Sequence, residues 1–192
     1  MVLQNEEDEV IQRRGTGWFS LILVVAALAL GGAPLAGQSS FSGGMGVNFF
    51  RYDTAYLTAL SATYLHDLGE GLELNLGAEF GINTDENDKG DTVPSFLIPL
   101  NLGLNFTFPR DAVTFVFGTG ISPVFNFNPD TDDEFLFYMG PYAKGAVRVR
   151  VHPIMSLYTE VQQDLLIGGT DWINTGTRFS LGINFALDPL TP

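Results

Sequence analysis

The chain has 192 residues, of which 22 are acidic and 9 are lysine or arginine, so its formal net charge is −13. Such an acidic surface repels nucleic acid, which excludes DNA and RNA as partners. There is no cysteine, and this excludes both a disulfide framework and a thiolate metal site.

The N-terminal residues have the pattern of a targeting segment. Arg13 and Arg14 precede the apolar run "WFSLILVVAALAL", and the small residues of "GGAPLAGQSS" follow it. We therefore predict a signal peptide over residues 1–37 and a single mature domain over residues 38–192. The alternative is a retained transmembrane anchor, because residues 18–36 approach the roughly 20 residues with which a helix crosses a bilayer.

Alternation of apolar and polar residues recurs along the rest of the chain. In "LELNLGAEFGIN", residues 72–83, every second residue is Leu, Ala, Phe or Ile, and the others are Glu, Asn or Gly. A period of two residues is typical of a strand with two unlike faces. Eight such segments are predicted, at residues 41–50, 55–65, 71–83, 95–108, 112–121, 135–151, 156–167 and 172–187.

The connections between these segments alternate in kind. Residues 66–71, 109–111 and 152–155 are short and rich in turn residues. Residues 84–94, 122–134 and 168–171 are mostly longer and acidic. Short turns at one end and longer loops at the other are typical of an up-and-down barrel.

The composition of the polar face indicates which side of each segment meets lipid. In the fourth segment a bulky apolar face is opposed by Asn101, Asn105 and Thr107. A strand facing water would carry more Lys, Glu and Gln, whereas small polar residues fit the crowded interior of an eight-stranded barrel. The bulky residues are then expected to face lipid. We predict an all-β fold, an eight-stranded antiparallel up-and-down transmembrane β-barrel.

Aromatic residues lie mostly near the ends of the segments, where outer-membrane barrels carry interfacial girdles. The alternative is a random scatter in a chain rich in phenylalanine. The predicted girdle residues are Phe49, Phe50, Tyr52, Tyr56, Tyr64, Phe125, Phe127, Tyr138 and Trp172.

On this pattern, over about residues 38–187, the chain resembles a small bacterial outer-membrane β-barrel protein of the OmpA-like transmembrane type. Its eighth segment contains "RFSLGINF", which is similar to the last strand of such families in ending on an aromatic residue, Phe185, although "ALDPLTP" follows here. We expect a monomer in the outer membrane, with outer-membrane lipid as its partner and no cofactor. The termini and short turns are then periplasmic, so the acidic loops face outward from the cell.

Charged residues on the polar parity are balanced in sign. They form the predicted lumen charge network, which consists of Glu73, Glu79, Lys144, Arg148, Arg150, Glu160, Asp164 and Arg178. If "HPIMS" closes a hairpin that pairs His152 with Ser156, Arg148 lies opposite Glu160 and Lys144 opposite Asp164. A similar count across "GGTDW" places Arg178 opposite Asp164. These pairs predict a plugged, charge-balanced lumen, and the alternative is a set of unrelated charges separated by water.

The sequence offers few groups for catalysis or metal binding. His66 and His152 both fall in predicted tight turns, so we predict no catalytic residues and no enzymatic activity. The acidic loops contain oxygen ligands of the kind that divalent cations bind, and the candidates are Asp85, Asn87, Asp130 and Asp132. The first loop is not an EF-hand, because Phe96 occupies the twelfth position, where a glutamate is needed. A solvated loop is the alternative for both.

Three functions remain open. The first is an integral outer-membrane barrel with a structural, adhesive or narrow-pore role. The second is a secreted soluble barrel of lipocalin type, whose faces would be reversed so that an apolar lumen binds an apolar ligand. The third is an outer-membrane lipid-modifying enzyme. Both histidines disfavour it, because by analogy such enzymes have their catalytic histidines toward the opposite end of the barrel.

Overall fold

The computed structural model describes residues 38–50, 54–86, 90, 92–127, 135–169 and 172–187. Within them the backbone forms eight strands that close into one antiparallel barrel, each strand pairing with the next and the last with the first. The strands are β1 (Ser39–Phe50), β2 (Thr54–Gly69), β3 (Leu72–Glu86), β4 (Thr92–Arg110), β5 (Val113–Phe127), β6 (Phe135–His152), β7 (Met155–Gly168) and β8 (Ile173–Ala186). This architecture confirms the predicted fold.

The predicted signal peptide lies outside the described residues and stays a prediction. In the described part of the chain, no helix is long and apolar enough to cross a bilayer.

Bulky apolar side chains cover the outside of the barrel. On β4, Phe106 and Phe108 are about half exposed, whereas Asn105, the residue before Phe106, is fully buried in the lumen. The same alternation recurs on β8, where Phe179 and Leu181 are exposed and Arg178 is buried. A lipocalin-type barrel would have its apolar face inside, so this arrangement of faces differs from the one that the soluble alternative needs.

A β-bulge in β2 changes which parity faces the lumen. The register against β3 shifts between Thr58 and Leu60. Tyr56 and Thr58 are buried before the bulge, and Ser61 and Leu65 are buried after it. An extra residue in one strand exchanges the two faces beyond it. This exchange explains why the two parities of the second predicted segment have nearly equal polarity.

Several strands are longer than predicted, and the turns are correspondingly shorter. β5 continues to Phe127 through residues that we predicted as a loop, because Pro123 adopts an extended backbone and pairs with Met139 on β6. The short turns shrink to two residues each, and Glu70 and Asp111 adopt a φ of 53° in two of them. His66 therefore lies in β2, and His152 is the last residue of β6, so neither histidine lies in a turn as predicted.

Glycines in the lumen make room for tyrosine rings from neighbouring strands. A β-carbon at Gly103 or Gly120 would overlap Tyr142, and one at Gly182 would overlap Tyr158. The polar parity is rich in glycine because these rings need the space. The lumen is consequently filled by large side chains that lie flat against bare backbone.

Candidate functional site: the charged lumen

The lumen has three layers between the end that carries the short turns and the opposite end, which we call the outer end. An open cavity lies between the short turns, paired charges fill the middle, and apolar side chains close the end at which the long connections join. We call these layers the mouth cavity, the charge belt and the plug.

The lower edge of the charge belt is a bidentate ion pair between β6 and β3. Arg148 donates from Nη1 to Glu73 Oε1 and from Nη2 to Glu73 Oε2, both at 2.8 Å. Asn105 Nδ2 also donates to Glu73 Oε2, at 3.3 Å. Two parallel N–H···O bonds make this the strongest geometry available to an arginine and a carboxylate. The pair forms the floor of the mouth cavity, which both side chains line.

A second ion pair, between Lys144 and Glu160, lies above the first, and Lys144 is more deeply buried than Arg148. Lys144 Nζ donates to Glu160 Oε2 at 2.9 Å and to Asn75 Oδ1 at 3.3 Å. Asn75 Nδ2 in turn donates to Tyr142 Oη at 3.0 Å. These bonds link β3, β6 and β7 across the lumen, and they give the buried ammonium the hydrogen-bond partners that burial requires.

Arg178 on β8 is the centre of the charge belt. Its Nε and Nη2 donate to the two carboxylate oxygens of Asp164 at 2.9 and 2.8 Å, and its Nη1 donates to Glu79 Oε1 at 2.9 Å. Nη2 also donates to Asn101 Oδ1 at 2.8 Å and to Ser122 Oγ at 3.1 Å. One guanidinium thus connects β8 with four other strands. A buried charge is stable only when it is paired and hydrogen-bonded in this way.

The β6–β7 hairpin has a different register from the predicted one. We predicted that His152 pairs with Ser156, but the structure pairs His152 with Met155 and, after a bulge, Arg150 with Ser156. The turn therefore has two residues, and the register beyond it is displaced by two residues from the prediction. A displacement of two keeps every side chain on its predicted face and changes its partners.

This displacement makes two predicted ion pairs wrong. Arg148 is not opposite Glu160, and Lys144 is not opposite Asp164. Arg148 forms an ion pair across the lumen with Glu73, and Lys144 forms one with Glu160. Arg148 and Glu73 lie on strands that are not neighbours, so hairpin counting could not find this pair. Lys144 and Glu160 are diagonal neighbours on the β6–β7 ladder, because Lys144 lies opposite Gln162 and Glu160 lies opposite Ala146.

The third predicted pair, Arg178 with Asp164, is in contact, but not as directly opposed residues. Asp164 lies opposite Gly176, and Arg178 lies opposite Gln162. Diagonal neighbours on one face of a sheet are within reach of long side chains. The arginine reaches its carboxylate along this diagonal, over the glycine.

The plug closes the lumen at its outer end. Its members are Phe50, Tyr56, Leu97, Val124, Tyr138 and Leu166. The rings of Phe50 and Tyr138 meet edge to face with centroids 5.1 Å apart, and Leu97 and Tyr138 are completely buried. These side chains form a packed apolar cluster inside this end of the barrel.

Three of the predicted girdle aromatics are therefore in the wrong place. Phe50, Tyr56 and Tyr138 are buried in the plug, because they lie on the lumen-facing side of β1, β2 and β6. Tyr52 lies outside the described residues. The predicted girdle residues on the outward parity are Phe49, Tyr64, Phe125 and Phe127, and Trp172, just before β8, is three-quarters exposed.

The mouth cavity has a volume of about 670 Å³ and opens at the end that carries the short turns. Arg150 lines it and is exposed, and its Nη2 donates to the carbonyl oxygen of Asp111 at 3.2 Å. Of the eight residues predicted for the lumen network, Arg150 thus lies at the mouth. The other seven lie in the charge belt.

The two histidines have different surroundings. His66 is buried on the outward side of β2, where its Nδ1 lies 3.0 Å from Ser39 Oγ and its ring stacks against Tyr64. His152 is exposed at the end of β6. The two histidines lie on β2 and β6, which are not neighbouring strands, so the structure does not bring them together in one site.

The metal candidates fall at the edge of what can be described. Asp85 is the second-to-last residue of β3, and Asn87, Asp130 and Asp132 lie outside the described residues. Among the described residues, no group of three or more histidine or acidic side chains has a metal-binding arrangement. Divalent cation binding at the outer loops stays a prediction.

The residues that sequence reasoning missed are neutral. Asn75, Asn101 and Ser122 accept hydrogen bonds from the buried cations, and Gln162 donates to Asn101 Oδ1 at 3.1 Å and to Asp164 Oδ1 at 2.8 Å. All four lie on the polar parity. The predicted network contained only the charged residues of that parity, so it lacked the amides and the hydroxyl that complete the charge belt.

Comparison with known proteins identifies the fold. Neither a protein-family model nor a curated protein sequence matches the chain. Three similar solved structures are Neisserial surface protein A, the attachment invasion locus protein Ail of Yersinia pestis in complex with the heparin analogue sucrose octasulfate, and the outer membrane protein OprG of Pseudomonas aeruginosa.

The likeness to these structures extends over the whole barrel. Their TM-scores are 0.60, 0.56 and 0.55, at sequence identities of 11%, 12% and 11%. The matches cover 78%, 79% and 79% of this chain and 96%, 99% and 96% of the other chains. Together with the apolar exterior, this shared architecture confirms the predicted fold, an eight-stranded β-barrel like those of small outer-membrane proteins.

Proposed function

We propose that this protein is a closed barrel with a structural or adhesive role at the cell surface, and that it is neither an open channel nor an enzyme. The observation that supports this most directly is that two different layers obstruct the lumen in series. The charge belt contains Arg178, which is 3% exposed, and the plug contains Leu97 and Tyr138, which are fully buried. A solute or ion would have to displace both layers to pass.

A narrow pore is the second candidate, and the charge belt is the observation that favours it. Paired charges can separate and line a water-filled path, as they do in channels whose selectivity depends on charged rings. In this chain the belt would open only if the plug also moved, because the two layers lie one behind the other.

Planar-bilayer recording tests the proposal. The unmutated protein should show no large, steady conductance, and Leu97→Ala with Tyr138→Ala should also stay silent because the belt below remains closed. Adding Arg178→Ala to that pair should produce measurable current. A gel mobility that changes on heating confirms that each variant is folded before it is recorded. Steady conductance from the unmutated barrel would contradict the closed lumen and favour the pore.

A further inference from the structure

The charge belt has one more carboxylate than it has cations. Four carboxylates and three cations form its ion pairs, which leaves a net charge of −1 in the described part of the belt. Arg150, the fourth cation of the predicted network, is exposed at the mouth, where water screens its charge. The carboxylates are Glu73, Glu79, Glu160 and Asp164, and the cations are Lys144, Arg148 and Arg178.

Glu79 is the carboxylate in excess. Two of the three cations have one carboxylate each, whereas Arg178 has two. Asp164 accepts two hydrogen bonds from this guanidinium and a third from Gln162, so its charge is compensated. Glu79 accepts one hydrogen bond among the described residues, from Arg178 Nη1 to Oε1. Its side chain is only 10% exposed, and a buried charge without a full partner is costly.

A small cavity of about 20 Å³ adjoins Glu79 inside the barrel, and we call it the belt cavity. This volume holds one water molecule or one ion of similar size. Arg148 lines both the belt cavity and the mouth cavity, so an ion can enter from the mouth past the ion pair of Arg148 with Glu73. Lys144 lines the belt cavity too, and its charge is already paired with Glu160. The residues that offer oxygen atoms to the belt cavity are Glu79, Glu160, Ser42, Ser61, Thr63, Tyr158 and Ser180.

Ser61 is an independent sign that something occupies the belt cavity. Its hydroxyl is buried and makes no hydrogen bond of acceptable geometry with the described residues, although the Tyr158 hydroxyl lies beside it. Buried hydroxyl groups in folded proteins nearly always have a partner. Since Ser61 lines the belt cavity, the missing partner is expected to lie within it.

We propose that the belt cavity binds one monovalent cation of the size of sodium, held by Glu79 and by the hydroxyl oxygens around it. Carboxylate and hydroxyl oxygens are ligands that hard cations prefer. A single positive charge matches the single excess carboxylate, whereas a divalent ion would reverse the imbalance and a water molecule would leave it. The inference rests on the proposed closed lumen, because an open, water-filled lumen would screen Glu79 without a bound ion.

Replacement of the salt around the folded protein tests the proposal. The protein is folded in phosphatidylcholine vesicles, and its urea midpoint of unfolding is measured while sodium chloride replaces N-methylglucamine chloride at constant ionic strength. N-methylglucamine is too large for the belt cavity. Glu79→Gln removes the excess charge, and Ser61→Ala removes one oxygen ligand. Ser40→Ala is the matched control, because Ser40 lines the mouth cavity and not the belt cavity.

We expect sodium to raise the midpoint of the unmutated protein until the site is saturated. The rise should be about 0.5–1.4 M urea at ten times the dissociation constant. Glu79→Gln should have the same midpoint with and without sodium, because its belt has equal numbers of positive and negative charges. Ser61→Ala should need about tenfold more sodium for the same rise, whereas Ser40→Ala should respond as the unmutated protein does.

Equal midpoints of the unmutated protein in the two salts would overturn the proposal, because water alone would then fill the belt cavity. A midpoint that changes with pH but not with sodium would also overturn it, since Glu79 would then carry a proton in place of the ion. A sodium effect that persists in Glu79→Gln would place the ion elsewhere.

Equal sodium responses of Ser61→Ala and Ser40→Ala would contradict the belt cavity as the site, and this comparison does not require Glu79→Gln to fold. Failure of the closed lumen is distinguishable from failure of the cation site. Steady conductance would contradict the closed lumen, whereas a silent barrel that does not respond to sodium would contradict the cation site alone.

Discussion

Loss of the Arg178 guanidinium should destabilise the barrel more than loss of any exposed charge. Arg178→Met removes the charge and keeps most of the side-chain length. It strands the carboxylates of Asp164 and Glu79, whose side chains are 3% and 10% exposed. Asp164 retains a hydrogen bond from Gln162 Nε2 at 2.8 Å, so we expect the loss for one uncompensated buried charge, not two. That loss is about 3–5 kcal/mol.

Equilibrium unfolding by urea in phospholipid vesicles, followed by circular dichroism and by gel mobility, measures this free energy. Arg150→Met is the matched control, because Arg150 is an exposed arginine at the mouth and its loss should cost no more than about 0.5 kcal/mol. A triple variant that adds Asp164→Asn and Glu79→Gln to Arg178→Met should recover most of the stability, since no charge is then stranded.

Either of two results would contradict the predicted effect of Arg178→Met. If Arg178→Met loses no more stability than Arg150→Met, water reaches the centre of the charge belt and screens the carboxylates there. If the triple variant is no more stable than Arg178→Met, the loss comes from packing of the side chain and not from stranded charge. The first result would also remove the main support for a closed lumen.

Two further predictions follow from the geometry of the lumen. In a charge-reversal cycle, the double variant of Arg148→Glu and Glu73→Arg should recover part of the unfolding free energy that each single variant loses. Arg148→Glu with Glu160→Arg should recover none of it. The opposite ranking would favour the predicted hairpin pair, Arg148 with Glu160. Gly120→Val should unfold at a clearly lower temperature, because the valine side chain would overlap backbone and a tyrosine ring. Gly145→Val is the control, because a side chain there meets open space, and it should unfold at the same temperature as the unmutated protein. Equal effects of the two substitutions would contradict this packing.

The sequence was sufficient to predict strand positions and faces because membrane barrels impose both on every residue. On β4, for example, each outward position from Phe96 to Phe108 is bulky and apolar, and Asn101 and Asn105 alternate with them. A period of two residues depends only on local backbone geometry. The same rule identified which side of the sheet carries charge, and hence which residues lie in the lumen.

Register and the plug could not be predicted in the same way. Bulges in β2 and after Arg150 depend on how the turn and its neighbours pack, and a hairpin count assumes that none occur. The plug was missed because Val124 lies in a stretch that we predicted as a loop, and Leu97 is an apolar residue on a polar parity. An apolar residue at such a position near one end of a segment is the signal that could have indicated it.

The cross-lumen pairs explain how the barrel selects one register among those that its faces allow. A slip of one residue in β6 would move Lys144 and Arg148 into lipid, so the apolar exterior alone excludes it. A slip of two residues leaves every side chain on the same side of the sheet, so the burial of apolar residues does not exclude it. Arg148 would then leave Glu73, which lies 75 residues away in the chain, and each of these partly buried charges would lose its partner. The ion pairs therefore supply the distinction between registers of equal parity, while the apolar faces supply the distinction between inside and outside.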